Sequence, residues 1–132
     1  MRKCLSLLFL FLISSVFSQD NEYFIDANFD VNNRLVEIYQ TIDFTNTTSN
    51  SLNYIILNDW AHSYSNPKTP LGKRLSEDFT LNFQRSTKNQ RGFTNIIHIK
   101  SDSIILEHTR LKVNIDLVKV KLSNALKPNH LK

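Results

Sequence analysis

Along much of this chain apolar and polar residues alternate at every second position, in short runs divided by polar turns, the pattern of half-buried β-strands. Tyr23, Ile25, Ala27 and Phe29 alternate with Asp26, Asn28 and Asp30 and predict a first strand. Asp30-Val31-Asn32-Asn33 reads as a turn, and residues 35–44 return as a second strand with Val36, Ile38, Ile42 and Phe44 on one face, so the pair predicts a hairpin. After a polar turn over residues 45–50, Leu52, Tyr54 and Ile56 with Ile55 and Leu57 predict a third strand, apolar enough to be buried on both faces. Beyond residue 92 strands are predicted around Phe93, Ile97 and Ile99, over residues 104–107 and over residues 115–122. Ser101-Asp102-Ser103 and Lys112-Val113-Asn114 supply the turns between them.

A helical period occurs once. Leu71, Leu75, Phe79 and Phe83 recur at every fourth residue and predict one helix over residues 70–84, capped by Thr69 and opened by Pro70, whose missing N–H is no loss in a first turn. Lys73, Arg74, Glu77 and Asp78 fall on its outer faces. Gly72 in the first turn weakens the helix by up to about 1 kcal/mol relative to alanine, so the helix must owe its stability to docking. The same stripe would suit an amphipathic membrane helix; in a strand-rich chain it reads as core.

The N-terminus sets the compartment. Arg2 and Lys3 precede an apolar run over residues 5–17, shorter than the roughly 20 residues a membrane span needs. Val16-Phe17-Ser18 suits signal-peptide cleavage, and the chain is abruptly polar from Gln19. The expectation is a signal peptide over residues 1–18 cut between Ser18 and Gln19, with an uncleaved anchor as the alternative. Residues 19–132 would then be exported, to a periplasm, cell envelope or extracellular space, with no stable membrane span. Cys4, the only cysteine, precedes the apolar run and is not placed as a lipoprotein cysteine would be.

Composition adds limits: 132 residues with 41% hydrophobic and 21% charged side chains, two glycines and three prolines, exclude collagen-like, glycine-rich and disordered chains and leave room for one domain. One cysteine excludes a disulfide framework and a thiolate zinc cluster. The net charge of +4 is too small to argue for nucleic acid. Charge is nonetheless unevenly spread: residues 19–66 carry seven acids and one base, whereas residues 67–132 carry thirteen bases and five acids. The basic half has no interleaved aromatic platform for a nucleic acid, so the halves are expected to face each other, or one of them another domain.

The search for chemistry mostly fails. His62, His98, His108 and His130 include no pair at i, i+4 spacing, and there is no His-Glu-x-x-His. Glu107 and His108 are adjacent on a predicted strand and point to opposite faces. No Gly-x-Ser-x-Gly elbow occurs, and two glycines cannot build a phosphate-cradling loop. Asp26, Asp30 and Asp43 could be imagined as a carboxylate pair or a calcium site, but acids at strand edges and turns are usually solvated. Asn46-Thr47-Thr48 is a formal glycosylation sequon. Trp60 and Tyr64 could form a stacking surface for a sugar or peptide. The reading preferred from sequence is that Trp60 caps the core where the third strand turns toward the helix.

Several segments together carry a resemblance. Tyr23-Phe24-Ile25-Asp26-Ala27, Asp43-Phe44-Thr45-Asn46, and Ser51-Leu52-Asn53-Tyr54-Ile55-Ile56-Leu57-Asn58-Asp59-Trp60 with Tyr64 begin it. Thr69-Pro70-Leu71-Gly72-Lys73-Arg74, Arg91-Gly92-Phe93-Thr94, Asp116-Leu117-Val118-Lys119-Val120-Lys121-Leu122 and Leu126-Lys127-Pro128 continue it. Over nearly all of residues 22–128 the chain resembles the N-terminal domain of exported, Bacteroidetes-like zinc metallopeptidases of the aminopeptidase N type. The resemblance implies a saddle-like, curved antiparallel β-domain that packs on a thermolysin-like catalytic domain and walls its cleft. The zinc would belong to that missing domain, which would carry His-Glu-x-x-His and a more distant glutamate. The family's substrate-gripping residues find no matching position, so none is carried over.

The expectation is therefore a mostly-β chain, a curved antiparallel sheet or sandwich of about six strands with one short helix. It is read as a non-catalytic fragment cut short before its catalytic domain, binding no cofactor of its own. Its expected partner is that catalytic domain or another protein surface, and not nucleic acid. The alternative is a complete small secreted β-sandwich that binds carbohydrate or protein near Trp60 and Tyr64. An open sheet with two edges and no covering element is also expected to be marginally stable by itself.

Overall fold

The hairpin predicted at the start of the chain forms from β1 (Glu22–Asp30) and β2 (Leu35–Asp43), paired antiparallel from Glu22 with Asp43 to Asp30 with Leu35. The computed structural model describes residues 21–78 and 81–130, so the signal-peptide expectation, including Ser18 and Gln19, and the placement of Phe79 lie outside the described residues. Asp30 builds the turn: its carboxylate accepts from the Asn33 backbone N–H at 3.0 Å and from the Asn33 side-chain amide at 2.7 Å. Chiefly through the backbone bond, and then the side-chain bond, Asn33 holds the Asp30 carboxyl below its ordinary pKa. A depressed folded-state pKa means that this support is complete above the ordinary carboxylate range and is lost as pH falls through the lowered value. Protection of the Asn33 amide, taken relative to its intrinsic exchange rate, is expected to fall on acidification with the Asp30 titration, and Asp30→Asn should abolish that pH dependence.

The remaining strands are β3 (Leu52–Asn58), β4 (Ile99–Ser101), β5 (Ile104–Leu106), β6 (His108–Arg110) and β7 (Leu117–Leu126). They form a three-stranded sheet in the order β3-β7-β6 and a two-stranded β4-β5 hairpin. Every pairing among the described residues is antiparallel, and the mostly-β class predicted from the alternation is the class observed. The β4-β5 turn places Asp102 at φ 49°, a left-handed conformation that Asp tolerates better than most residues.

β7 organises the core. Val118 and Val120 are fully buried, with Leu122, Leu126 and, from β5, Leu106 beside them, while Lys119 and Lys121 between them face outward. Phe44, Leu52, Ile55, Leu57, Ile96 and Ile99 pack around this cluster. A register shift between Leu52 and Tyr54 accompanies the turning of both Leu52 and Ile55 toward it, although they are an odd number of residues apart. The third strand is thus buried on one face only: Tyr54 and Ile56 stay exposed, because among the described residues no element covers the outer face of this sheet. The Lys119 ammonium lies 4.0 Å from the Tyr54 ring centroid and gives it a cation–π neighbour.

Two further expectations are corrected. The single helix over residues 70–84 is instead α1 (Pro70–Glu77) and a separate α2 (Asn82–Arg85). Ser76, Asp78, Thr80 and Asn82 are weak helix formers, and Lys73, Arg74, Glu77 and Asp78 run against the helix dipole, positive early and negative late. α2 folds back on α1, with the Gln84 side-chain amide donating to the Gly72 carbonyl. α1 does begin as predicted, with Thr69 Oγ1 accepting from the Gly72 N–H at 3.1 Å and Pro70 in the first turn.

The strand predicted around Phe93, Ile97 and Ile99 shrinks to β4. Phe93 and Ile97 are exposed, and Thr94 gives its backbone groups to side chains instead of a neighbouring strand. Conversely, β6 has no alternation of its own and is a strand because β7 pairs with it.

Candidate functional site

β3 ends against β7, where the Asp59 N–H donates to the Asp116 carbonyl at 2.6 Å, and the chain then winds into a 3-10 helix (Trp60–Ser65). That turn brings Trp60 and Tyr64 together, ring centroids 5.3 Å apart and nearly perpendicular. Phe83 of α2 continues the row, 5.9 Å from Tyr64 in the same edge-to-face geometry. Trp60 is 58% exposed and so does not cap the core as preferred from sequence; it forms the outer end of an aromatic ladder whose inner members are half-buried. The Ser63 carbonyl accepts from the buried Thr69 hydroxyl at 2.8 Å, which fixes this turn to the start of α1.

Beneath the ladder lies a polar network. Asp59 receives the Arg110 guanidinium on one carboxylate oxygen at 2.5 Å and the Thr94 hydroxyl on the other at 2.9 Å. Arg110 also donates to the carbonyls of Ile115 at 3.1 Å and Thr94 at 3.2 Å. His62 Nδ1 is 3.0 Å from the Thr94 carbonyl oxygen and 3.2 Å from its backbone nitrogen. Three segments are thereby tied together: the end of β3, the irregular stretch before β4, and β6.

Chemically this network holds and positions. Both Asp59 oxygens are engaged by donors, and no serine or cysteine nucleophile stands in it. Among the described residues no three His, Cys, Asp or Glu side chains are grouped to hold a metal ion, and no helix is long and apolar enough to cross a membrane. Asp26, Asp30 and Asp43 are spread along the hairpin ladder, opposite Tyr39, Leu35 and Glu22. Arg110→Ala is expected to cost about 2 kcal/mol, because it strands a half-buried carboxylate, with the upper range for buried pairs reduced by the 24% and 15% exposure of the two side chains. Denaturant unfolding of Arg110→Ala, Asp59→Asn and the double variant measures this; Arg110→Lys should rescue only part, since it loses the planar fork.

No family model, curated protein or solved structure matches this chain.

The sequon residue has another role. Asn46 is fully buried; its amide nitrogen donates to the carbonyls of Asn50 at 2.8 Å and Leu126 at 2.9 Å, and its side-chain oxygen accepts from the Thr48 N–H and hydroxyl. Its backbone bonds to Asn129 and His130. The nitrogen that glycosylation would modify is already committed as a donor inside the fold. The sequence reading missed Asn46 as a clip, whose tie to Leu126 spans 80 residues, and likewise Thr94 and Arg110, whose partners are far away in sequence: Asp59 and Arg110 are 51 residues apart.

Proposed function

We propose that this chain is a non-catalytic, architectural β-domain of an exported aminopeptidase-N-like zinc metallopeptidase, whose role is to pack against a catalytic domain and help wall its cleft. One observation carries this reading: β3 is an edge strand of the central sheet, with Tyr54 and Ile56 exposed beside it, while Asp59, His62, Thr94 and Arg110 are engaged in holding the fold. An open edge with an apolar flank is a docking template. Zinc and the catalytic glutamates would be supplied by the domain that packs there. The test is to read the source DNA past the Lys132 codon. A continuing frame with His-Glu-x-x-His and a later glutamate is the expected result; unrelated sequence in every frame overturns it.

The exposure of Trp60 favours a second reading, a binding module that stacks a sugar or peptide on Trp60 and Tyr64. Trp60→Ala is expected to change stability by less than about 1 kcal/mol, since the ring is mostly in solvent. Under the second reading, glycan- or peptide-array binding by the wild type disappears in that variant; under the first, the wild type shows no such binding to lose.

A further inference from the structure

Among the described residues the β1-β2 hairpin has little cover, and its two faces differ in charge. The register places Tyr23, Ile25, Ala27, Phe29, Val36, Ile38, Gln40 and Ile42 on one face, without a charge among them. The other face carries Glu22, Asp26, Asp30, Glu37 and Asp43 interspersed with the exposed Phe24, Leu35 and Tyr39, and among the described residues none of these carboxylates has an ion-pair partner. On the apolar face Tyr23 is 60% exposed, Ile25 58%, Phe29 71%, Val36 44% and Ile38 60%. β1 and β2 pack chiefly on each other, and a lone two-stranded ribbon is marginal in water.

We infer that the apolar face of this hairpin is a self-association surface, covered by the same face of a second copy of this chain around a two-fold axis. Charge decides against pairing two copies through their acidic faces. Stacking apolar face on apolar face brings no like charges together and leaves both sets of carboxylates in water, whereas any arrangement that buries the acidic face of one copy against that of another desolvates several unpaired carboxylates. Shape agrees, because Ala27, paired with Ile38 in the inner part of the ladder, leaves room for a large side chain of the opposing copy. Area agrees as well. With about 150–250 Å² for a whole aromatic side chain and less for Ile and Val, the five exposed residues present at most roughly 500 Å² per copy. A face-to-face pair removes on the order of 1,000 Å², the lower bound for a specific interface, so a weak, concentration-dependent dimer is expected. This surface is separate from the β3 edge, and the inference stands or falls independently of the proposed function.

The test is sedimentation velocity on the purified chain over a wide concentration range, together with hydrogen exchange at both ends of that range. Expected are a monomer–dimer equilibrium and β1-β2 amide protection that rises with concentration while that of β3 and β7 does not. Ile38→Lys and Ile25→Lys should each weaken the dimer at least about thirtyfold, whereas Thr41→Lys, on the acidic face, should not weaken it. A chain that stays monomeric throughout, as it would if a different protein covers this face, overturns the inference. So does association that survives both isoleucine substitutions, or wild-type protection that rises at β3 and not at the hairpin; the wild-type exchange data decide the matter even if a variant fails to fold.

Discussion

Gly72→Ala is expected to destabilise the chain by about 3 kcal/mol, the upper part of the usual overpacking range, even though helix propensity alone would make it stabilising by about 1 kcal/mol. Gly72 is buried in the first turn of α1, and a Cβ there would overlap the Pro67 carbonyl oxygen, its carbon and its Cα. Those are backbone atoms, and they cannot swing aside as a side-chain tip would. Pro67 in turn belongs to the segment tied down by the Thr69 N–H to Asn66 carbonyl bond at 3.2 Å and by the Thr69 hydroxyl to Ser63. For a domain of this size the melting temperature should fall by roughly 12 °C or more. Thermal unfolding followed by circular dichroism measures it. A variant as stable as the wild type would mean that α1 is not seated on Pro67.

Asn46→Ala is expected to cost about 2–4 kcal/mol, because it removes one side chain and strands several groups at once. The carbonyls of Asn50 and Leu126 lose their donor, and the Thr48 N–H and hydroxyl lose their acceptor. Asn46→Asp provides an internal control with a definite sign. A carboxylate cannot donate to either carbonyl, and burial raises its pKa, so the variant should be least stable where the carboxylate is ionised and should recover part of the loss on acidification. Denaturant midpoints at two pH values separate these cases. Equal midpoints for Asn46→Ala and wild type would show that the clip contributes nothing.

Local patterning made the strands legible. β1, β2, β3 and β5 are where the apolar pattern predicts them, and β7 overlaps its predicted span of residues 115–122 but runs over Leu117–Leu126, because each has enough apolar residues to be recognised without help from a neighbour. The Thr69-Pro70 start of α1 is equally readable, since a cap acts within one turn. Features that depend on distant partners were not readable. The loss of regular structure around Thr94 and the pairing of β6 are decided by contacts across the fold, whereas the break after Glu77 follows from weak helix formers that the apolar stripe outweighed in the sequence. The exposure of Trp60 belongs with these: a lone tryptophan after an apolar strand suits a core cap in sequence, and only the direction of the 3-10 turn sends it outward. Within the candidate site, aromatic neighbours four residues apart could be seen from sequence, whereas the Asp59–Arg110–Thr94 network could not.

The uneven charge also takes physical form. One acidic-half residue, Asp59, meets one basic-half residue, Arg110, inside the fold, and Lys119 meets Tyr54 across the β3-β7 ladder. The hairpin carboxylates remain in solvent on the face opposite the exposed apolar one. Among the described residues the β3 edge and the hairpin's charge-free face are the surfaces we propose for association.

The most direct test of the architectural reading is peptide mapping by mass spectrometry of the natural polypeptide that contains residues 21–130. The expected polypeptide begins at Gln19 and continues past Lys132 into a segment carrying His-Glu-x-x-His. A natural product whose last peptide ends at Lys132 would contradict it.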